Sequence, residues 1–201
     1  YAKVDFSARF SQFLEDRQNP KQGLVVVGVH LSNFDLAIHA VGRRGLKAVA
    51  LGVANPGSGY QWQNKLRAES GIEIIPSSTN TLRHAIQRLE ANGTIVTGLD
   101  RPLPDSKYRP RFFGRPAALP VMHILLALKT GVPVALTSAS QNQAGRYLID
   151  ISEPIEMLPH PDRHQEILLN AERVLSVAEE VILQAPHQWA MFYPVWPEAM
   201  A

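Results

Sequence analysis

The 201 residues contain no cysteine, which removes disulfides, thiolate nucleophiles and cysteine-ligated metals together. No apolar run reaches transmembrane length; the longest, Ala117 to Leu128, is interrupted by Pro120 and His123. Charge of one sign is scarce: 20 basic against 18 acidic residues leave a net +2, too little by itself to imply nucleic acid. Internal repeats and linker-like stretches are lacking too. What is present, 45% hydrophobic residues with ordinary charge, describes a globular chain long enough to bury a substantial core. One domain is expected over residues 1–201. The first residue, Tyr rather than Met, reads as a fragment of something longer.

Leu24-Val25-Val26-Val27-Gly28-Val29 is apolar without polar alternation, as suits a strand covered on both faces. His30 falls where that run ends, which in an open α/β sheet is the carboxyl edge where ligands bind. Asp35 follows five residues later. In one continuous helix the two side chains would stand about 140° apart. A break at Leu31-Ser32-Asn33 lets them fold back on each other, and a His–Asp general-base pair is one reading of the turn. Ser32-Asn33-Phe34-Asp35 also matches a capping box, in which Ser and Asp satisfy the first helical N–H groups. These residues alone leave both readings open.

Phe6, Phe10, Phe13 and Leu14 predict an amphipathic helix within residues 1–18. Helices are predicted over Phe34–Val41, Gln61–Glu69 (bearing Lys65 and Arg67), Thr79–Ala91, Ala118–Lys129 and Asp162–Gln184. Strands are predicted over Leu46–Ala54, Ile72–Ile75, Thr94–Leu99, Val132–Ser138 and Tyr147–Ile151, and an aromatic tail runs from Gln188 to Trp196. This alternation indicates an α/β fold with a mostly parallel central sheet flanked by helices. Three strand ends carry polar groups: His30, Asn55, and Asp100 with Arg101. They converge if the strands are neighbours, and strand order is not readable.

Residues 101–116 read as a long irregular segment in which Arg101, Lys107, Arg109, Arg111 and Arg115 are interleaved with Tyr108, Phe112 and Phe113. Loops of this length are usually lids or binding loops. Guanidinium groups suit phosphate, and aromatics suit an acyl chain or a base; the alternative is a solvated loop whose arginines do nothing specific. His160 and His164 have i, i+4 spacing but lie at a Pro-rich helix start without acidic partners, and no metal site is expected. His39, His84, His123 and His187 read as ordinary helix or surface histidines.

Val29-His30-Leu31-Ser32-Asn33-Phe34-Asp35, Asn55-Pro56 with Arg67, Asp100 with Phe112-Phe113-Gly114, Thr130-Gly131-Val132-Pro133-Val134 and Gln188-Trp189, in that order along the chain, resemble the blocks of the bacterial lipid A biosynthesis (lauroyl/myristoyl) acyltransferase family. That family includes the phosphatidylinositol mannoside acyltransferases and belongs to the lysophospholipid and glycerolipid acyltransferase superfamily. Val29-His30-Leu31-Ser32-Asn33-Phe34-Asp35 resembles its His, four residues, then Asp or Glu hallmark. Asn55-Pro56, Arg67, Gly71 and Ile74 resemble a second block, and Asp100 with Phe112-Phe113-Gly114-Arg115-Pro116-Ala117 a third. Thr130-Gly131-Val132-Pro133-Val134 and the Gln188-Trp189 and Trp196 signature complete the series. The acid is Asp where lipid A enzymes usually carry Glu, and Leu99 stands where many members have Gln.

The resemblance implies a glycerolipid acyltransferase-like fold and transfer of a fatty acyl group to a hydroxyl of a lipid or glycolipid acceptor. The donor would be a thioester on coenzyme A or acyl carrier protein, with no cofactor and no metal. His30 would be the general base and Asp35 would orient it. Neither Cys nor a Gly-x-Ser-x-Gly elbow offers an acyl-enzyme nucleophile. Substrate would be bound by Asn33, Asn55, Arg67, Asp100, Arg101, Arg109, Arg111, Phe112, Phe113 and Arg115. N–H groups near Asn33, or Arg67, would serve the oxyanion. The resemblance further implies an acyltransferase domain without its family's N-terminal membrane-anchoring segment, peripheral or anchored at the cytoplasmic face of the bacterial inner membrane. A membrane surface is an expected partner; nucleic acid is not. Two alternatives stand beside this: a non-catalytic lipid- or phosphate-binding module, and a thioesterase that uses water as acceptor.

Overall fold

A computed structural model of the chain describes residues 3–52, 57–76 and 79–196. β2 (Leu24–Gly28) lies mid-sheet, with β5 (Thr94–Gly98) and β8 (Val134–Gln141) on either side, both parallel to it. β3 (Ala48–Gly52) and β4 (Glu73–Pro76) continue the parallel part beyond β5. Past β8 the direction reverses: β9 (Tyr147–Ile151) is antiparallel to β8, and β1 (Val4–Phe6) runs alongside β9 at the edge. The order is β1-β9-β8-β2-β5-β3-β4, an α/β sheet that is mostly parallel and flanked by helices.

The Val-rich run explains its own place. Val25, Val27 and Val29 point into a core that includes side chains of α4 (Thr79–Glu90), α5 (Met122–Thr130) and α6 (Arg163–Gln184). Leu24 and Val26 point the other way, toward α1 (Ala8–Asp16) and α2 (Phe34–Arg43). With both faces covered, polar alternation has no place in such a strand. Each fully buried valine contributes roughly 1.5–3 kcal/mol over leaving it exposed.

Two N-terminal and mid-chain expectations are corrected. The helix expected within residues 1–18 begins only at Ala8, where the Ser7 hydroxyl accepts the Phe10 N–H at 3.0 Å. Val4–Phe6 is instead an edge strand, because the backbone finds acceptors and donors on β9: Ser7 N–H donates to Ile149 O and Tyr147 N–H to Lys3 O, each at 2.9 Å. α5 starts at Met122 rather than Ala118, since Pro120 holds the preceding residue out of helical geometry. It ends at Gly131, whose φ of 69° supplies the left-handed cap. α6 matches its predicted span, with the Asp162 carboxylate accepting the Gln165 N–H at 2.7 Å.

Residues 101–116 are more ordered than their composition predicts. β6 (Arg111–Phe112) and β7 (Arg115–Pro116) form a small hairpin docked on α6. Arg111 N–H donates to Glu172 at 2.9 Å and Phe113 N–H to Glu179 at 2.6 Å. Among the described residues no helix is long and apolar enough to cross a membrane.

Candidate active site

The parallel register of β2 and β5 sets Gly28 opposite Gly98. Two residues further on, the same register brings His30 beside Asp100. His30 Nδ1 lies 2.6 Å from Asp100 Oδ1, and the His30 backbone N–H donates to Oδ2 at 2.9 Å. Asp100 is 0% exposed, whereas the His30 side chain keeps 20% of its surface open. A carboxylate withdrawn from water must be met by donors, and here it is. Gly98 makes the room: a Cβ there would stand 3.2 Å from His30 Cε1. With Nδ1 engaged, Nε2 is the nitrogen left for chemistry.

His30 opens onto a pocket whose walls are Phe34 and Asp35 of α2, Tyr60, Gln63 and Arg67 of α3 (Ser58–Ala68), Arg101, and tail residues Ala190 to Tyr193. The His30 ring meets Phe34 edge-on, with centroids 4.7 Å apart.

The expected pairing of His30 with Asp35 is corrected. The two share the pocket, but Asp35 Oδ1 accepts from Arg67, at 2.6 Å from Nε and 2.5 Å from an Nη. Arg67 also donates to Asn64 at 3.1 Å. Ser32 adopts a left-handed φ of 50°, the chain enters α2 at Phe34, and Asp35 turns toward α3 rather than back to the strand end. The capping box is corrected in the same way. Asn33, not Ser32, caps α2, its Oδ1 accepting the Leu36 N–H at 3.1 Å. The amide oxygen expected at substrate thus holds the helix start.

Of the other expected binding residues, Arg101 lines the pocket. Its guanidinium bridges Tyr60 and Tyr193, donating to both hydroxyls and lying 4.3 Å from the Tyr193 ring centroid. Among the described residues it has no carboxylate partner within ion-pair distance, unlike Arg67. Arg109, Arg111 and Arg115 are exposed and away from the pocket walls; Arg111 donates to Gly114 O, and Arg115 lies over Trp196. Phe112 is fully buried, stacked on Trp196 at 5.8 Å and edge-on to Trp189 at 5.9 Å. It has no open face for an acyl chain; Phe113 packs between the same two indoles. The hairpin's docking on α6 is what carries these side chains off the site. Asn55 lies outside the described residues.

Sequence reasoning missed Tyr60, Gln63 and the tail. Tyr60, Gln63 and Arg67 stand at i, i+3 and i+7, one face of a helix, and that spacing was there to be read. It named Trp189 in the C-terminal signature but gave it no place at the site, where its indole Nε1–H donates to Asp100 Oδ2 at 2.9 Å. Away from the site, His123 on α5 is buried with neither ring nitrogen partnered among the described residues, and burial pushes its pKa down to about 4. His160 bonds the Asp162 backbone and His164 stacks on Tyr108. Among the described residues no three His, Asp or Glu side chains are grouped to hold a metal ion.

Residues 10–198 match the family described as bacterial lipid A biosynthesis acyltransferase. No curated protein matches the sequence. Among solved structures, the 1-acyl-sn-glycerophosphate (LPA) acyltransferase PlsC from Thermotoga maritima is 18% identical, over 92% of this chain and 73% of that one, with a TM-score of 0.48. A likeness that distant bears no weight on function. The family match spans nearly the whole chain, and the chain belongs to the bacterial lipid A biosynthesis acyltransferase family.

Proposed function

We propose that this family member transfers a fatty acyl group from a thioester of coenzyme A or acyl carrier protein to a hydroxyl of a lipid or glycolipid. The observation that carries the reading is the imidazole of His30, held at Nδ1 by a buried carboxylate while its ring borders a pocket. Nε2 takes the proton of the acceptor hydroxyl as that oxygen attacks the thioester carbonyl carbon. When the tetrahedral adduct collapses, the C–S bond breaks and the proton passes from Nε2 to the leaving sulfur. Asp100 keeps Nδ1–H in place and stabilises the imidazolium formed in between. General base catalysis of this kind contributes typically ~10²–10⁴-fold. No side chain is acylated, and the step balances with the thioester donor and the hydroxyl acceptor.

The oxyanion is met by the N–H groups of Phe34 and Asp35, ahead of the Leu36 N–H that Asn33 caps, or by Arg67. Arg101 suits an anionic group on donor or acceptor. Trp62, beside the pocket-lining face of α3, and Phe192 on the tail are 64% and 89% exposed. Phe192 lines the pocket, and exposed aromatics support peripheral contact with a membrane surface; the side proposed is the cytoplasmic face of the inner membrane.

The test is acyl transfer from a long-chain acyl-CoA or acyl carrier protein to an extracted bacterial lipid mixture, followed by mass spectrometry. Folded His30→Ala should lose at least about a hundredfold in rate. Native-like transfer by that variant would end the mechanism. Free fatty acid as the sole product would put water in the acceptor's place, and lipid binding without turnover by the native chain would make it a binding module.

A further inference from the structure

The tail crosses directly over the turn that carries His30. Ser32 N–H donates to Gln188 O at 2.7 Å, and Ala190 N–H donates to His30 O at 2.8 Å. Between them Leu31 and Trp189 face each other as an antiparallel bridge. Gln188 is tied down at its other end, its amide donating to Gln141 O and accepting Gln141 N–H, each at 2.7 Å, where β8 finishes. From this strap the Trp189 indole reaches inward to Asp100 Oδ2.

The donor and acceptor inventory says what that contact does. An indole N–H and a backbone N–H can only donate. Both address Oδ2, so that oxygen accepts twice and has no place for a proton of its own. The carboxylate is turned so that Oδ1 meets His30 Nδ1. The shared proton therefore belongs on Nδ1, and Nε2 carries the lone pair.

We propose that Trp189 is a positioning residue: its indole N–H locks the Asp100 carboxylate and so holds His30 in the tautomer that can act as a base. The proposal rests on the reading of His30 as general base. Without the indole donor, Oδ2 keeps one partner in a site that water does not reach. The carboxylate is then free to rotate or to hold a proton on Oδ2, and either change disorders the base.

Trp189→Phe keeps a ring against Phe112 and Phe113 and removes the N–H. In the acyl-transfer assay above, its kcat should fall about tenfold to a hundredfold with KM changed by less than about twofold. The low-field proton of His30 Nδ1 in the ¹H NMR spectrum should shift or broaden in the same variant. A lower melting temperature with full kcat and an unmoved Nδ1 proton would mean that Trp189 only packs, and would overturn the proposal. His30→Ala, run alongside, separates the two readings. If it is inactive while Trp189→Phe is fully active, only the positioning role falls; if it is active, the base falls and this role with it. Should Trp189→Phe fail to fold, the native protein carries the test. Its Trp189 indole proton should move as the His30 ring titrates, and an indole resonance that stays still through that titration overturns the proposal.

Discussion

Two carboxylates stand at the same pocket and live in different worlds. Asp100 is sealed from water and accepts three N–H groups, two from His30 and one from Trp189. Asp35 keeps 37% of its side chain exposed and, among the described residues, pairs with the guanidinium of Arg67. Asp35 is the acid next to His30 in the chain, yet Asp100, 70 residues away, is the one that binds its ring. Neighbouring parallel strands deliver their carboxyl ends side by side, whereas a helix start turns its second residue away. Proximity along the sequence is the poorer guide to which acid pairs with the histidine.

The comparison breaks most readily at Asp100. Asp100→Asn presents an amide where three donors converge, and folded enzyme should lose about 10³–10⁴ in kcat, as tautomer-fixing carboxylates do elsewhere. If Asp35→Asn proved as severe, the division of labour would be wrong. Acid sharpens the comparison from outside the pocket. His123 is neutral in the folded protein, with its pKa held near 4 by burial, but takes up a proton near 6.5 once unfolded. The unfolded chain therefore binds more protons between those values. Its contribution to stability is complete above pH 6.5 and declines by up to about 3 kcal/mol as pH falls to 4. Urea melts across that range should show the decline, and His123→Leu should flatten it.

Asp35→Asn is expected to cost about tenfold, more in KM than in kcat, because Arg67 loses its partner without disturbing His30. A double-mutant cycle with Arg67→Gln should give a coupling of about 1 kcal/mol, discounted for the exposure of Asp35. The smallest effect belongs to Asn33→Ala, which removes the α2 cap. It should lower stability by about 1 kcal/mol and leave kcat near the native value, as measured by thermal melts and steady-state rates.

Much of the sheet was legible. Tyr147–Ile151 alternates and is bounded by turn residues, and Asp162 before a long apolar stripe announces α6. Each half of the His30–Asp100 pair was also marked, since both residues follow buried strands. Their union was not, because it depends on β5 lying beside β2, a choice made among strands by packing of the whole molecule. Val4–Phe6 was hidden for the same reason: three residues become a strand only when β9 accepts them. Phe112 and Phe113 misled because an aromatic among arginines looks the same whether it greets a ligand or fills a core. The tail was visibly aromatic, but nothing local distinguishes an indole that meets a buried acid from one that meets lipid.

The strap also imposes a timetable. A ribosome must finish residues 188–190 before the turn around His30 can be clasped. Chains that stop short of residue 188 carry His30 and Asp100 without the strap that crosses their turn. The turn around His30 is therefore clasped only once residues 188–190 have been made.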